Sequence, residues 1–359
     1  MERIVFHVDV NSAFLSWTAK QVLEKWYKID IREKVAVVWV EEKRKCFVLA
    51  ASMPAKKLWI RTPMKLNDAR NIYPNLIIAP PDYMYYKKCS NEMMDALKAK
   101  FPIFQQYSID ECFLEYTSEM QQIYWEPEKV AYEMKDYIWK KFWFTVNIWI
   151  GNNKFLAKMA SDFEKPNKVH TLYSYEIQDK MWPLKIWDLF GCGRKTEPLL
   201  RKMWIATIWD LAHKDKALVK ARLWRWGWVL HDYANGIDDS KVEDSYDNRK
   251  CMWASSITRV DTKDRDFICT FFEEFAAELA LWLKDRELAW DRLTVHVRYT
   301  DFSVKSHQSK LNNLINTPEE IYKWAITLFD ELWNKAEVNL VGVSISGLQN
   351  VRFKQGTLF

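Results

Sequence analysis

An α+β protein of several domains is what this sequence predicts, on three observations. At 359 residues the chain is longer than one hydrophobic core usually supports. Through its first half, short apolar runs of strand character alternate with stretches of helical period. A polar, charged segment, DDSKVEDSYDNR over residues 238–249, then separates that half from a second mixed region.

Residues 4–10 read as a short apolar strand, and residues 12–26 carry helix spacing through Phe14, Leu15, Ala19, Val22 and Leu23. A strand therefore runs directly into a helix, with Asp9 at the strand's end. Residues 35–79 alternate apolar runs with a helical stretch around 65–72, a small α/β insertion closed by Pro80 and Pro81. A helix over 83–101 leads into a β-hairpin at 105–116 that carries YSIDECFLEY. A helix at 127–142, a strand at 145–150 and a helix at 152–163 follow. The resulting β-α-β-β-α-β order is ferredoxin-like. Short helices with turn signals at Gly191, Gly193 and Gly236 are predicted over 180–236. Beyond the charged linker, strands at 293–299 and 338–348 and helices at 271–283 and 318–336 make a separate α+β domain, with a tail at 355–359.

Composition narrows the class. An apolar share of 49% with 28% charged residues suits a protein with sizeable cores rather than a disordered chain. There is no apolar run of membrane-spanning length and no signal-peptide pattern, so the expectation is a cytoplasmic protein with no membrane partner. Six scattered cysteines, without Cys/His zinc spacing, predict reduced thiols and no zinc. The net charge of +5 does not single out nucleic acid. Between residues 191 and 225, however, nine Lys or Arg face three acids, a local surface suited to phosphates and equally compatible with a solvated helix face. Glycine is scarce: eight residues, where usage of about 7% would give roughly 25. Tryptophan, at twenty, is abundant.

The candidate chemistry is carboxylate chemistry. Asp110 and Glu111 are adjacent, and successive strand side chains point to opposite faces, so the two converge only near a turn or bulge. If the Asp9 strand pairs beside that hairpin, three acids meet in one cleft. Such a cluster repels itself unless cations neutralise it, and hard oxygen donors suit Mg²⁺ with substrate phosphates. Spacing alone leaves open that these are ordinary turn and surface acids.

The segments HVDVNSAF (7–14), YSIDECFL (107–114), GNNKFLAKMASDFEKPN (151–167) and DLFGCGRKTEPLLRK (188–202) resemble, in order and spacing, the signature blocks of Y-family (translesion, DinB/UmuC-like) DNA polymerases. The similarity extends over nearly the whole chain. It implies a right-hand polymerase: palm at 1–12 and 81–172, small fingers at 13–80, helical thumb with a helix-hairpin-helix at 173–238, linker at 239–250, little finger at 251–349 and a tail at 350–359. It further implies low-fidelity, template-directed DNA synthesis without proofreading, with two Mg²⁺ ions, on primed DNA and deoxynucleoside triphosphates, by a monomer.

By that resemblance, Asp9 and Asp110 hold both metals, Glu111 holds the one that activates the primer 3′-hydroxyl, and the Val10 carbonyl is a further ligand. Phe14 matches the steric gate beneath the sugar; its spacing alone fits a core residue. Lys165 matches the lysine that reaches the triphosphate. Tyr86 and Ser90 lie in the helix after the fingers, also on the nucleotide side. Lys56 stands where an arginine usually grips phosphate, and Met53 where a tyrosine is common. Gly191, Gly193, Arg194 and Lys195 match the helix-hairpin-helix, whose backbone N–H groups and basic side chains hold DNA phosphates. Gln355, Leu358 and Phe359 resemble the QxxLF peptide that docks on the sliding clamp.

Two further readings arise. One keeps the fold and drops the catalysis, as a DNA- or clamp-binding accessory protein. The other makes Asp9 a phosphatase nucleophile, but Asn11 stands where that chemistry wants a second aspartate. Finally, Trp59, Trp149, Trp204 and Trp209 occupy positions where the family pattern usually has glycine, so strained or closely approached backbone is expected there.

Overall fold

The computed structural model describes residues 2–25, 29–42, 45–160, 166–243 and 250–351. They divide into two compact units, residues 1–40 with 48–247 and residues 41–47 with 248–359.

In the first unit β1 (Ile4–Val10) sends Phe6, Val8 and Val10 into the main core and turns Val5, His7 and Asp9 to the opposite face, as strand alternation requires. Helix α1 (Ala13–Glu24) follows at once. The predicted insertion is present as β2 (Ala36–Glu42), β3 (Lys45–Ala51), α2 (Met53–Lys57), α3 (Leu66–Ile72) and β4 (Ile77–Ala79), with sheet order β3-β2-β4. Asp82 caps α4 (Tyr83–Lys98) by accepting from Tyr85 N at 3.0 Å. Then come β5 (Phe104–Gln106), β6 (Glu111–Tyr116), an unanticipated α5 (Ser118–Tyr124), α6 (Pro127–Phe142), β7 (Val146–Gly151), α7 (Lys154–Met159) and β8 (Val169–Leu172). The sheet runs β5-β6-β1-β7-β8, so β1 is central and antiparallel to both β6 and β7. α4 and α6 cover the Phe6 face, through Tyr86, Met93, Leu97, Met134 and Ile138. This leaves the Asp9 face to α7, whose Ala157 packs with Val5 and Phe113.

Helices α8 (Glu197–Arg201), α9 (Ile208–Ala212) and α10 (Lys216–Ala234) form the remainder around Leu200, Ile205, Ile208, Leu211, Val219 and Leu230. α10 is longer than the short helices expected, 19 residues, and is broken inside by Trp224 at φ 57° and ψ −144°. The second unit comprises β9 (Cys251–Thr262), α11 (Arg265–Asp285), β10 (Leu288–Tyr299), β11 (Val304–Ile315), α12 (Pro318–Leu332), β12 (Val338–Ser346) and β13 (Gln349–Asn350). Its antiparallel sheet is ordered β11-β10-β12-β9, and α11 and α12 pack through Phe272 and Phe329 onto Leu293, Val295 and Val343.

The tryptophan expectation is corrected in part. Trp59 and Trp204 do take left-handed backbone, at φ 65° and 62°. Trp149 and Trp209 do not: the first lies inside β7, fully buried, and the second in α9. A regular strand and a regular helix accept any residue's backbone, so no left-handed strain arises at either.

Candidate active site

Asp9, next to last in β1, lies directly opposite Glu111, the first residue of β6. Val10 N donates to Asp110 O at 3.1 Å, which makes Asp9 and Glu111 a non-hydrogen-bonded pair. Side chains of such a pair share a face at the closest cross-strand spacing. Asp110 precedes the strand and escapes its alternation. Its loop is tied down by Tyr107 N and Ser108 N, which donate to Glu111 O at 2.9 and 3.1 Å. Ser108 Oγ donates to Asp110 Oδ1 at 2.6 Å. The same edge carries the Val10 backbone.

Two basic groups that sequence reasoning did not single out stand behind Glu111. Lys158 of α7 donates from Nζ to Glu111 Oε1 at 2.8 Å. His7, two residues before Asp9 on the same face, brings Nε2 to 3.7 Å from Glu111 Oε2. It is fully buried, stacked on Trp149 at 5.3 Å and 4.9 Å from the Phe113 ring. Burial, the largest influence, lowers the His7 pKa, against the hydrogen bond to Glu111 that raises it. The sequence signal available for His7 was its place two residues before Asp9, on the same strand face; Lys158 carried no such signal.

These surroundings push two adjacent carboxyls apart. For Asp110, burial raises the pKa and the neighbouring Glu111 charge adds to it, against the Ser108 hydrogen bond. For Glu111, burial also pushes upward, but His7 and Lys158 more than offset it and hold the group at about 2. Among the described residues no three His, Cys, Asp or Glu side chains already close around one point. The donor set nonetheless fits a divalent ion. All its atoms are hard oxygens on one sheet edge, and Mg²⁺ takes only one or two carboxylates, completing its shell from water and phosphate.

A cleft of about 220 Å³ opens beside this edge, lined by Asp9, Ser12, Arg32, Met53, Lys56 and Thr145 among others. Ser12, at φ 47°, turns the chain from β1 into α1. Lys56 Nζ donates to Ser12 Oγ at 2.7 Å, which brings the expected phosphate-binding lysine to the cleft. Arg32, which the sequence reading passed over, lines it too, paired to Asp30 at 2.7 Å. Phe14, half-buried at the start of α1, stacks on Tyr86 at 5.0 Å. Tyr86 and Ser90, expected on the nucleotide side, lie beneath the surface of the cleft. Both are buried, with the Tyr86 hydroxyl 2.6 Å from Thr18 Oγ1 and Ser90 Oγ donating to Ile109 O at 2.5 Å. They support the Phe14 ring and the Asp110 loop from behind.

In the helical part, Gly191 turns at φ 89°, and the Gly193 carbonyl accepts from Thr196 N at 2.9 Å and Glu197 N at 3.0 Å, opening α8. Arg194 and Lys195 are exposed on that turn. Lys165, Gln355, Leu358 and Phe359 lie outside the described residues. No helix among the described residues is long and apolar enough to cross a membrane.

Residues 8–162 match the model of the impB/mucB/samB family, and residues 249–358 that family's C-terminal domain. The chain is 39% identical over 349 residues to DNA polymerase IV of Clostridium acetobutylicum, covering 97% of this chain and 88% of that protein. It is 31% identical to DNA polymerase IV of Bacillus velezensis, covering 99% and 85%. Among solved structures, a Y-family DNA polymerase chimera of Dbh and Dpo4 superposes with a TM-score of 0.84 at 25% identity, over 97% of this chain and 99% of that one. An insertion ternary complex of Dbh DNA polymerase, at 23% identity and a TM-score of 0.70 over the same shares, agrees in fold.

Proposed function

This chain belongs to the impB/mucB/samB family of Y-family, DinB-like DNA polymerases, and from that premise we infer how its cleft works. Its activity is template-directed DNA synthesis of the translesion type, on a DNA template with deoxynucleoside triphosphates, and it depends on a divalent metal. The metal is a pair of Mg²⁺ ions held by Asp9, Asp110, Glu111 and the Val10 carbonyl. Bound there, such ions stabilise the attacking and leaving oxygens of nucleotidyl transfer.

The rest is done by the chain's own groups. Glu111, with its carboxyl held at about 2, is ionised at every working pH. Asp110, pushed upward by burial, is the carboxylate whose charge most needs a cation. Phe14, backed by Tyr86, floors the sugar and rejects a 2′-hydroxyl, while Ser90 braces the Asp110 loop through Ile109 O. Lys56 and Lys165 meet the triphosphate as point charges. Gly191, Gly193, Arg194 and Lys195 hold the DNA backbone without reading bases. The tail residues Gln355, Leu358 and Phe359 dock on the sliding clamp, and the enzyme works as a low-fidelity monomer without proofreading.

One observation carries this reading: Asp9 and Glu111 face each other across β1 and β6, with Asp110 beside them. Primer extension with Mg²⁺ tests it, comparing the parent with Asp110→Asn and Glu111→Gln after circular dichroism has shown all three folded. Extension by the parent, lost in both variants, is expected. Equal extension by either variant would remove the carboxylates from the chemistry.

A further inference from the structure

Five tryptophans occupy backbone that a side chain disfavours: Trp59 (φ 65°), Trp125 (49°), Trp143 (63°), Trp204 (62°) and Trp224 (57°). Among the described residues ten non-glycine positions have positive φ, so tryptophan, 20 of 359 residues, supplies half of them. Where residues other than glycine enter this region, asparagine, aspartate and histidine are the enriched types, because a bulky Cβ substituent crowds the backbone.

Hydrogen bonds identify what these turns are. After α10, Gly236 (φ 72°) donates from N to Tyr233 O, and Ile237 N donates to Asp232 O, the paired bonds of a Schellman cap. After α2, Trp59 N donates to Lys56 O and Ile60 N to Ala55 O; after α8, Trp204 N donates to Arg201 O and Ile205 N to Leu200 O. The offsets are the same, and isoleucine follows in all three. Trp143 N donates to Trp139 O, the single-bond form of the cap. Trp224, with ψ −144°, lies at the border of a region that is essentially glycine's alone. None of the five indoles compensates by burial, since their exposures run from 53% at Trp143 to 91% at Trp204. Trp17 and Trp182 are unlike them. Trp17 is fully buried inside α1, and Trp182 has helical backbone and donates from Nε1 to Ala234 O at 3.0 Å.

We infer that, in the organism that makes it, this protein carries glycine at positions 59, 125, 143, 204 and 224. The codon UGA is read as tryptophan in some genetic codes and as glycine in others. One reassigned codon therefore accounts at once for the glycine shortage, the tryptophan surplus and the placement of the surplus at glycine turns. Trp17 and Trp182, whose backbone and contacts suit an indole, are expected to be encoded by UGG and to stay tryptophan. Tryptic peptides of the protein purified from its native cells decide the matter by mass and fragment ions. Peptides 58–61 (LWIR) and 203–214 (MWIATIWDLAHK) are expected lighter by the difference between tryptophan and glycine at positions 59 and 204, while 181–185 (MWPLK) keeps its indole. Tryptophan at 59 and 204 would overturn the inference.

A different observation carries a second inference, resting on the metal reading above. Lys158 Nζ lies 2.8 Å from Glu111 Oε1 and 3.5 Å from His7 Nε2, against a carboxylate assigned to the metal. We propose that Lys158 is a positioning residue, the built-in counter-cation of the ion-free site, whose ammonium yields Glu111 when Mg²⁺ arrives. Calorimetric titration of DNA-free protein with Mg²⁺ tests this. Lys158→Met, which removes the competing charge, is expected to bind Mg²⁺ several-fold tighter and to melt lower in EDTA, with Lys158→Arg matching the parent in both. Unchanged or weaker Mg²⁺ binding by a folded Lys158→Met protein would overturn it. Loss of Mg²⁺ binding in the parent itself would strike instead at the metal reading.

Discussion

At the proposed catalytic edge the chain turns on residues suited to turning. Ser12 takes the left-handed step between β1 and α1, and Ser108 closes the loop ahead of β6 with its own hydroxyl. In the helical part the equivalent steps fall on Trp204 and Trp224, residues with neither a hydrogen-bonding side chain near the backbone nor freedom from Cβ. The contrast separates two kinds of encoding. The site is written in side chains, and those are intact; the helix ends are written in backbone permissiveness, and there the residue types and the conformations disagree.

The largest effect that would break this contrast is loss of the site's dependence on its acids. Asp110→Asn is expected to lower primer extension on the order of 10²–10³-fold, comparable to removing one preorganised electrostatic stabiliser, as measured by single-turnover rates. Next is Phe14→Ala. If the ring rejects the 2′-hydroxyl, its removal should narrow the preference for deoxynucleotides by about 10–200-fold in kcat/KM, the range of one apolar contact.

The two neighbouring carboxyls should then differ in sign. Glu111 is held at about 2 against an ordinary 4.5, so its stabilisation is present above pH 4.5 and is lost as pH falls toward 2. Glu111→Gln is therefore expected to cost roughly 3 kcal/mol in urea unfolding at pH 7, and little at the acid end. Asp110 has the opposite shift: its folded pKa is raised, so the charged form is disfavoured on folding and stability falls as pH rises through that range. Asp110→Asn should gain stability at pH 7 while losing activity. The smallest effect lies in the helical part. In the chain carrying tryptophan, Trp204→Gly should raise stability by about 1–2 kcal/mol, read as a higher Tm, because it removes a side chain from left-handed backbone.

Much of this was legible in the sequence, for identifiable reasons. The helix at 127–142 has the bounds read from its pattern, because Pro127 starts it and the apolar period sustains it. The facing of Asp9 and Glu111 followed from a strand beside a hairpin. β9 and β11 were not legible: β11, VKSHQSKLNNLI, is largely polar and exposed, and its extended form comes from pairing with β10 rather than from its own alternation. Nor could spacing reveal Lys158 against Glu111, 47 residues apart in the chain, or the burial of the Tyr86 and Ser90 hydroxyls.

If Asp9 and Glu111 carry the proposed chemistry, their opposition ties assembly to activity through geometry alone. A slip of β1 by one residue against β6 would turn Asp9 into the core among Met93 and Ile148 and send Val8 and Val10 toward the cleft. The apolar interior thereby acts as an inspector of the catalytic alignment. A chain that has buried the correct face has already aimed its acids, and one that has not remains unfolded rather than becoming a slow enzyme.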